Sequence, residues 1–97
     1  ERAAKVGVSG NREFNPGWHT AIDLRNLLTV GEAIARSALL RKESRGGHFR
    51  EDFPDKDKHF GAVNHAIRKG PDGQMVVCEV AVQAPNAELQ AVIAEMV

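Results

Sequence analysis

Residues 15–42 read NPGWHTAIDLRNLLTVGEAIARSALLRK, and the spacing of apolar positions in this stretch decides the fold class. Ala21, Leu24, Leu27, Leu28, Gly31, Ile34, Ala35, Ala38 and Leu39 recur at intervals of three and four. That interval gathers them on one broad face of an α-helix. Arg25, Thr29, Glu32 and Arg36 fall on the opposite face. Asn15 has the side chain of a good N-cap, and Pro16 suits the first helical position, where its missing N–H had no intrahelical partner. The pattern predicts a long helix over about 16–42.

A face this wide needs cover. Gly31, Ala35 and Ala38 within it predict that another helix approaches closely, yet the rest of the chain supplies few candidates. The expectation is one long helix of a truncated helical bundle. Residues 1–6 (ERAAKV) point the same way, as a helix-compatible stub before the turn-prone Gly7-Val8-Ser9-Gly10.

Downstream, the paired glycines of Ser44-Arg45-Gly46-Gly47-His48 end the helix and open a loop over 43–58. Residues 49–58 (FREDFPDKDK) are charged and punctuated by Pro54. Two β-like runs follow, Ala62 to Arg68 and Gln74 to Val82, separated by the turn chemistry of Gly70-Pro71-Asp72-Gly73. They predict a hairpin over about 61–82. In the second run Val76, Cys78, Val80 and Val82 share one face, which is wholly apolar and is expected to be buried. Asn86 then caps a short helix over about 86–96, with Leu89, Val92, Ile93 and Met96 as its apolar stripe. The fold class is α+β and mainly α, in a single domain of residues 1–97.

Composition narrows the function. Thirteen basic residues balance thirteen acidic ones, so the chain lacks the positive charge from which non-specific nucleic-acid binding draws its affinity. Cys78 is the only cysteine, so no internal disulfide forms. No apolar run approaches the ~20 residues of a membrane span.

Side chains that carry chemistry elsewhere are not arranged for it here. His19, His48, His59 and His65 form no HxH, HxxxH or HExxH pair, and Cys78 offers no CxxC. No metal site is expected from that spacing. Glu51, Asp52, Asp55 and Asp57 cluster, but Lys56 and Lys58 interrupt them and the alternating oxygen pattern of a calcium loop is missing. They read as a solvated loop. Arg45-Gly46-Gly47-His48 offers backbone N–H groups to an anion, but it follows a helix C-terminus, whose dipole disfavours one. No catalytic triad, phosphate loop or dinucleotide fingerprint is present, so no catalytic, cofactor-binding or metal-binding residue is assigned.

One stretch is more specific than its physics. Ile22-Asp23-Leu24, Asn26-Leu27-Leu28 and Glu32-Ala33-Ile34-Ala35 are followed by Glu43-Ser44-Arg45-Gly46-Gly47-His48, Arg50, Asp52, Phe53 and Pro54. This series resembles a signature in the C-terminal domain of succinate dehydrogenase and fumarate reductase flavoprotein subunits. It covers about 40 contiguous residues. Past Pro54 the match thins, with Phe60 where family members often carry tryptophan and Gly73 to Val82 only loosely echoing a family strand.

The resemblance implies a parent protein that binds FAD and exchanges a hydride equivalent with succinate or fumarate. It would pass electrons first to an iron–sulfur subunit, then to a membrane quinone. The resemblance also implies a location on the inner, cytoplasmic face of the cell membrane, held there through a membrane anchor. The family's flavin-linking and substrate-binding residues lie upstream and map onto no position here. The domain is then a non-catalytic scaffold, and Arg45, His48, Arg50 and Asp52 are expected to hold a contact with the flavin-binding domain of the same chain. L-aspartate oxidases share a related segment and remain an alternative. A free-standing module whose apolar helix face docks a partner helix is another. The isolated fragment, with that face uncovered, is expected to form a homo-oligomer.

Overall fold

The structure is a computed structural model that describes residues 1–97. The chain divides into two compact units, Glu1–Arg41 and Lys42–Val97.

The first unit is built on α1, Pro16–Leu40, preceded by a short 3-10 turn at Arg2–Lys5. Asn15 starts α1 as a true cap: its Oδ1 accepts from the Trp18 N–H at 3.3 Å. Its Nδ2 donates to the carbonyls of Ser9 (2.9 Å) and Asn11 (2.8 Å), which ties the entering chain to the cap. On the polar face Arg36 pairs with Glu32 at 2.7 Å, the i,i+4 contact that helix geometry sets up. The apolar face lies open. Leu27 is 60% exposed, Ile34 65% and Leu39 69%.

The second unit begins with the loop after α1 and continues through α2 (Lys58–Gly61), β1 (Val63–Lys69), β2 (Met75–Ala81) and α3 (Ala87–Met96). β1 and β2 pair antiparallel, with Val63 opposite Ala81 and Lys69 opposite Met75. Their turn is closed by Gly70 N–H to the Gln74 carbonyl at 2.7 Å and Gly73 N–H to the Gly70 carbonyl at 3.0 Å. Gly73 sits at φ +78, where a side chain would be strained. In α3 Asn86 caps through Leu89 N–H at 2.8 Å.

Two sequence expectations need correction. Residues 58–61 form a helical turn, not loop and strand approach, because Asp57 Oδ1 accepts from the N–H groups of His59 (2.8 Å) and Phe60 (3.3 Å). That turn decides which side of the hairpin is covered. Phe60 stacks toward His65, ring centroids 6.1 Å apart, and His59 Nε2 meets Glu79 Oε2 at 2.8 Å. Cover therefore falls on the His65–Glu79 face. The apolar face expected to be buried is the open one: Cys78, Val80 and Val82 are exposed and only Val76 is half-buried.

No apolar side chain in the chain is buried. The accessible surface is 8359 Å², against roughly 5,500 Å² for a folded monomer of 10.6 kDa. No helix is long and apolar enough to cross a membrane.

Candidate functional site

The one fully buried side chain in the molecule is a carboxylate, Glu43. An unpaired buried charge costs several kcal/mol, roughly, so its surroundings must neutralise it. They do so with directional contacts. Arg45 Nε donates to Glu43 Oε1 at 2.9 Å and Arg45 Nη2 to Oε2 at 3.1 Å, a two-pronged, charge-assisted pair. The Asp57 N–H donates to Oε2 at 2.8 Å. Arg45 Nη2 also reaches the Asp57 carbonyl at 3.2 Å. A residue two positions away and a backbone unit fourteen positions away thus converge on one carboxylate. The hydrogen bond from Arg45 to Glu43, opposed in part by burial, raises the arginine pKa above its ordinary value, so the guanidinium keeps its charge.

Gly61 makes room for this clasp. A Cβ there would lie 2.8 Å from Arg45 Nη2, closer than side-chain carbons approach one another. The guanidinium therefore rests against the end of α2, and its position is coupled to that of the helical turn.

Ser44 ties the rest of the loop. Its hydroxyl donates to the Phe53 carbonyl at 2.7 Å and accepts from the Arg50 N–H at 2.9 Å, while its own N–H donates to the Asp55 carbonyl at 3.1 Å. At the tip, Arg45 and His48 exchange both backbone hydrogen bonds, at 2.8 and 3.0 Å. Gly46 takes φ +58 there, a conformation other residues avoid.

Arg50 and Asp52 form a second forked pair, Nε–Oδ1 at 2.9 Å and Nη2–Oδ2 at 2.6 Å, with the Arg50 guanidinium 4.9 Å from the Phe53 ring centroid. The hydrogen bond from Arg50 outweighs burial and holds the Asp52 carboxyl below its ordinary pKa.

The structure brings Arg45, His48, Arg50 and Asp52 into this one loop, but in two arrangements: Arg45 on Glu43, Arg50 on Asp52. Sequence reasoning misses the residue at the centre, Glu43, and its supports Ser44 and Gly61. The signal is present in the unusual density of Glu, Ser and Arg around two glycines. The four histidines are dispersed among α1, the loop tip, α2 and β1. His65 Nε2 on β1 is buried without a hydrogen-bond partner.

The family described as "Fumarate reductase flavoprotein C-term" matches residues 1–93. Among similar proteins, a fumarate reductase flavoprotein subunit of Mycobacterium tuberculosis is 36% identical over 78 residues, 79% of this chain and 13% of that protein. A fumarate reductase (CoM/CoB) polypeptide of Methanothermobacter marburgensis is 50% identical over 55 residues, 57% of this chain and 10% of that protein. An L-aspartate oxidase of Synechocystis is 38% identical over 68 residues, covering 68% and 11%. The chain thus spans only a small part of the length of the curated relatives it matches. No solved structure matches it. With nearly every residue inside one family match, the chain belongs to the C-terminal domain family of the succinate dehydrogenase and fumarate reductase flavoproteins.

Proposed function

We propose that this chain serves as the non-catalytic C-terminal scaffold of an FAD-dependent succinate dehydrogenase or fumarate reductase. Its parent oxidises succinate to fumarate, or runs the reverse, and hands electrons to an iron–sulfur subunit on the inner face of a membrane. The observation that carries this reading is the contrast inside the chain itself. Its only fully buried side chain is polar, within the motif-bearing loop, while its apolar faces are open. Those open faces supply contact area, and the loop supplies a rigid polar edge.

The residues here do not themselves fit a flavin. The charges of the loop's two guanidiniums, Arg45 and Arg50, are already balanced by Glu43 and Asp52, which leaves little attraction for a phosphate. No catalytic step is therefore assigned to this chain. Arg45, His48, Arg50 and Asp52 instead form the edge that meets the flavin-binding domain. The similarity to an L-aspartate oxidase over 68 residues supports that sister enzyme as a second reading.

The test uses the native polypeptide, tagged at its C-terminus and purified from its source. A chain of several hundred residues, by the lengths of its relatives, whose flavin band bleaches with succinate is the expected result. Bleaching with L-aspartate and not succinate selects the oxidase. A colourless protein of 10.6 kDa overturns both and leaves a free-standing module.

A further inference from the structure

Arg45 has more donors than its clasp uses. Nε and Nη2 are engaged by Glu43 and the Asp57 carbonyl. Nη1 carries two further N–H groups that meet no acceptor in this chain, and 40% of the side chain is exposed. The inner edge of the guanidinium is thus fixed by a fully buried carboxylate and the outer edge is open. An arginine is planar, so fixing one edge fixes the other. Ordinarily, ordering such a side chain at an interface carries an entropic cost, and here much of it is met before any partner arrives.

The neighbouring backbone gives an independent indication. Gly46 needs to be glycine for its φ of +58, but Gly47 has no such need: its φ is ordinary and a Cβ there would meet nothing within 4 Å. Nothing in this chain asks for a bare backbone at Gly47. A glycine there leaves room for another surface to come close to the backbone. Phe49, two residues on, is 70% exposed.

We propose that Glu43 is a positioning residue. It presents the Nη1 edge of Arg45 to a carboxylate or main-chain carbonyl on the flavin-binding part of the same polypeptide, with Gly47 allowing that surface close. The proposal rests on the flavoprotein reading above. Glu43 acts on that surface through Arg45, and Gly61 sets how far the guanidinium can move.

Hydrogen–deuterium exchange on the full-length flavoprotein tests this, with Glu43→Gln, Gly61→Ala and Arg45→Ala compared with the parent. Glu43→Gln keeps the size of the side chain and loses its charge. Gly61→Ala is the milder change, displacing the guanidinium with Glu43 left intact, and it serves if the first variant does not fold. Either variant is expected to raise exchange about tenfold or more in one contiguous segment of the flavin-binding part, as well as in residues 42–61, since a charge-assisted hydrogen bond contributes about that much. Arg45→Ala should affect the same segment, and adding Gly61→Ala to it should change nothing further. Increases confined to residues 42–61 would overturn the proposal, because a clasp that only braces its own loop gives that pattern. Failure of the flavoprotein reading shows separately, as missing flavin and low mass in the parent protein before any variant is made.

Discussion

The apolar face of α1 and the loop from Lys42 to Asp57 solve opposite problems. The helix has good local chemistry, with a capped start, an i,i+4 ion pair and regular apolar spacing, but most of its leucines and isoleucines stay more than half exposed. The loop has almost no apolar content to bury, yet it holds the one side chain that solvent cannot reach. Burying a leucine or isoleucine fully contributes about 1.5–3 kcal/mol, and α1 leaves most of that unrealised within this chain. The loop's order is internal, set by Glu43, Arg45 and Ser44. Order and apolar burial are therefore separated in this molecule. The loop is shaped before it meets anything, and the helix is shaped for what it meets.

That contrast breaks first at the helix face. Leu27→Gln, with Leu27 now 60% exposed, should change the stability of the 97-residue chain by less than about 0.5 kcal/mol when measured at concentrations low enough to keep it monomeric, as surface substitutions do. In the full-length protein the same change should cost about 2 kcal/mol or more, because a bundle would cover that position. Urea unfolding of both forms measures the difference. An equal, small cost in both would mean that the face stays bare and that no bundle covers it. Light scattering sharpens the result: the isolated chain is expected to be a dimer or larger, and Leu27→Gln should shift it toward monomer.

The same separation explains what could be read from sequence. The start of α1 was legible because Asn15 and Pro16 act on their immediate neighbours, and its run was legible because a 3.6-residue period needs no tertiary information. The hairpin turn was legible through Gly70-Pro71-Asp72-Gly73. The buried face of the hairpin was not. Apolar content favoured Val76, Cys78, Val80 and Val82, but cover is decided by α2, four residues whose cap, Asp57, is hidden in a run of acidic and basic residues. The same aspartate contributes its N–H and carbonyl to the clasp. Glu43 was legible as part of a motif but not as a buried charge, since its burial depends on a partner fourteen residues away. Local signals found what is local. The site is made of returns.

A smaller effect comes from the cap. Asn15→Ala removes the acceptor for Trp18 N–H and both donors that hold the Ser9 and Asn11 carbonyls. A loss of about 1 kcal/mol is expected, the usual cost of an N-cap, read as helix content and thermal midpoint of the 97-residue chain. The loop should not respond. Unchanged exchange protection at residues 43–57 in this variant would sharpen the separation between the two regions, and a parallel loss there would break it.

The smallest effect is the pH dependence of the loop's outer pair. Asp52 has its carboxyl pKa lowered in the folded chain, chiefly by the hydrogen bond from Arg50, so the folded state binds its proton less readily than the unfolded state. Its contribution to stability is then complete above the ordinary carboxylate value of about 3.9 and declines as pH falls through the lowered folded value. The side chain is 59% exposed, so solvent and salt screen the pair and the effect is slight. The measurement is the difference in unfolding midpoint between parent and Asp52→Asn as pH is taken from 7 to 3. The parent's advantage should hold at the upper end, shrink below pH 4 and weaken with added salt. A difference that stays constant to pH 3 would mean that the Arg50–Asp52 fork contributes by shape alone, leaving the loop's dependence on charge to the buried Glu43 clasp.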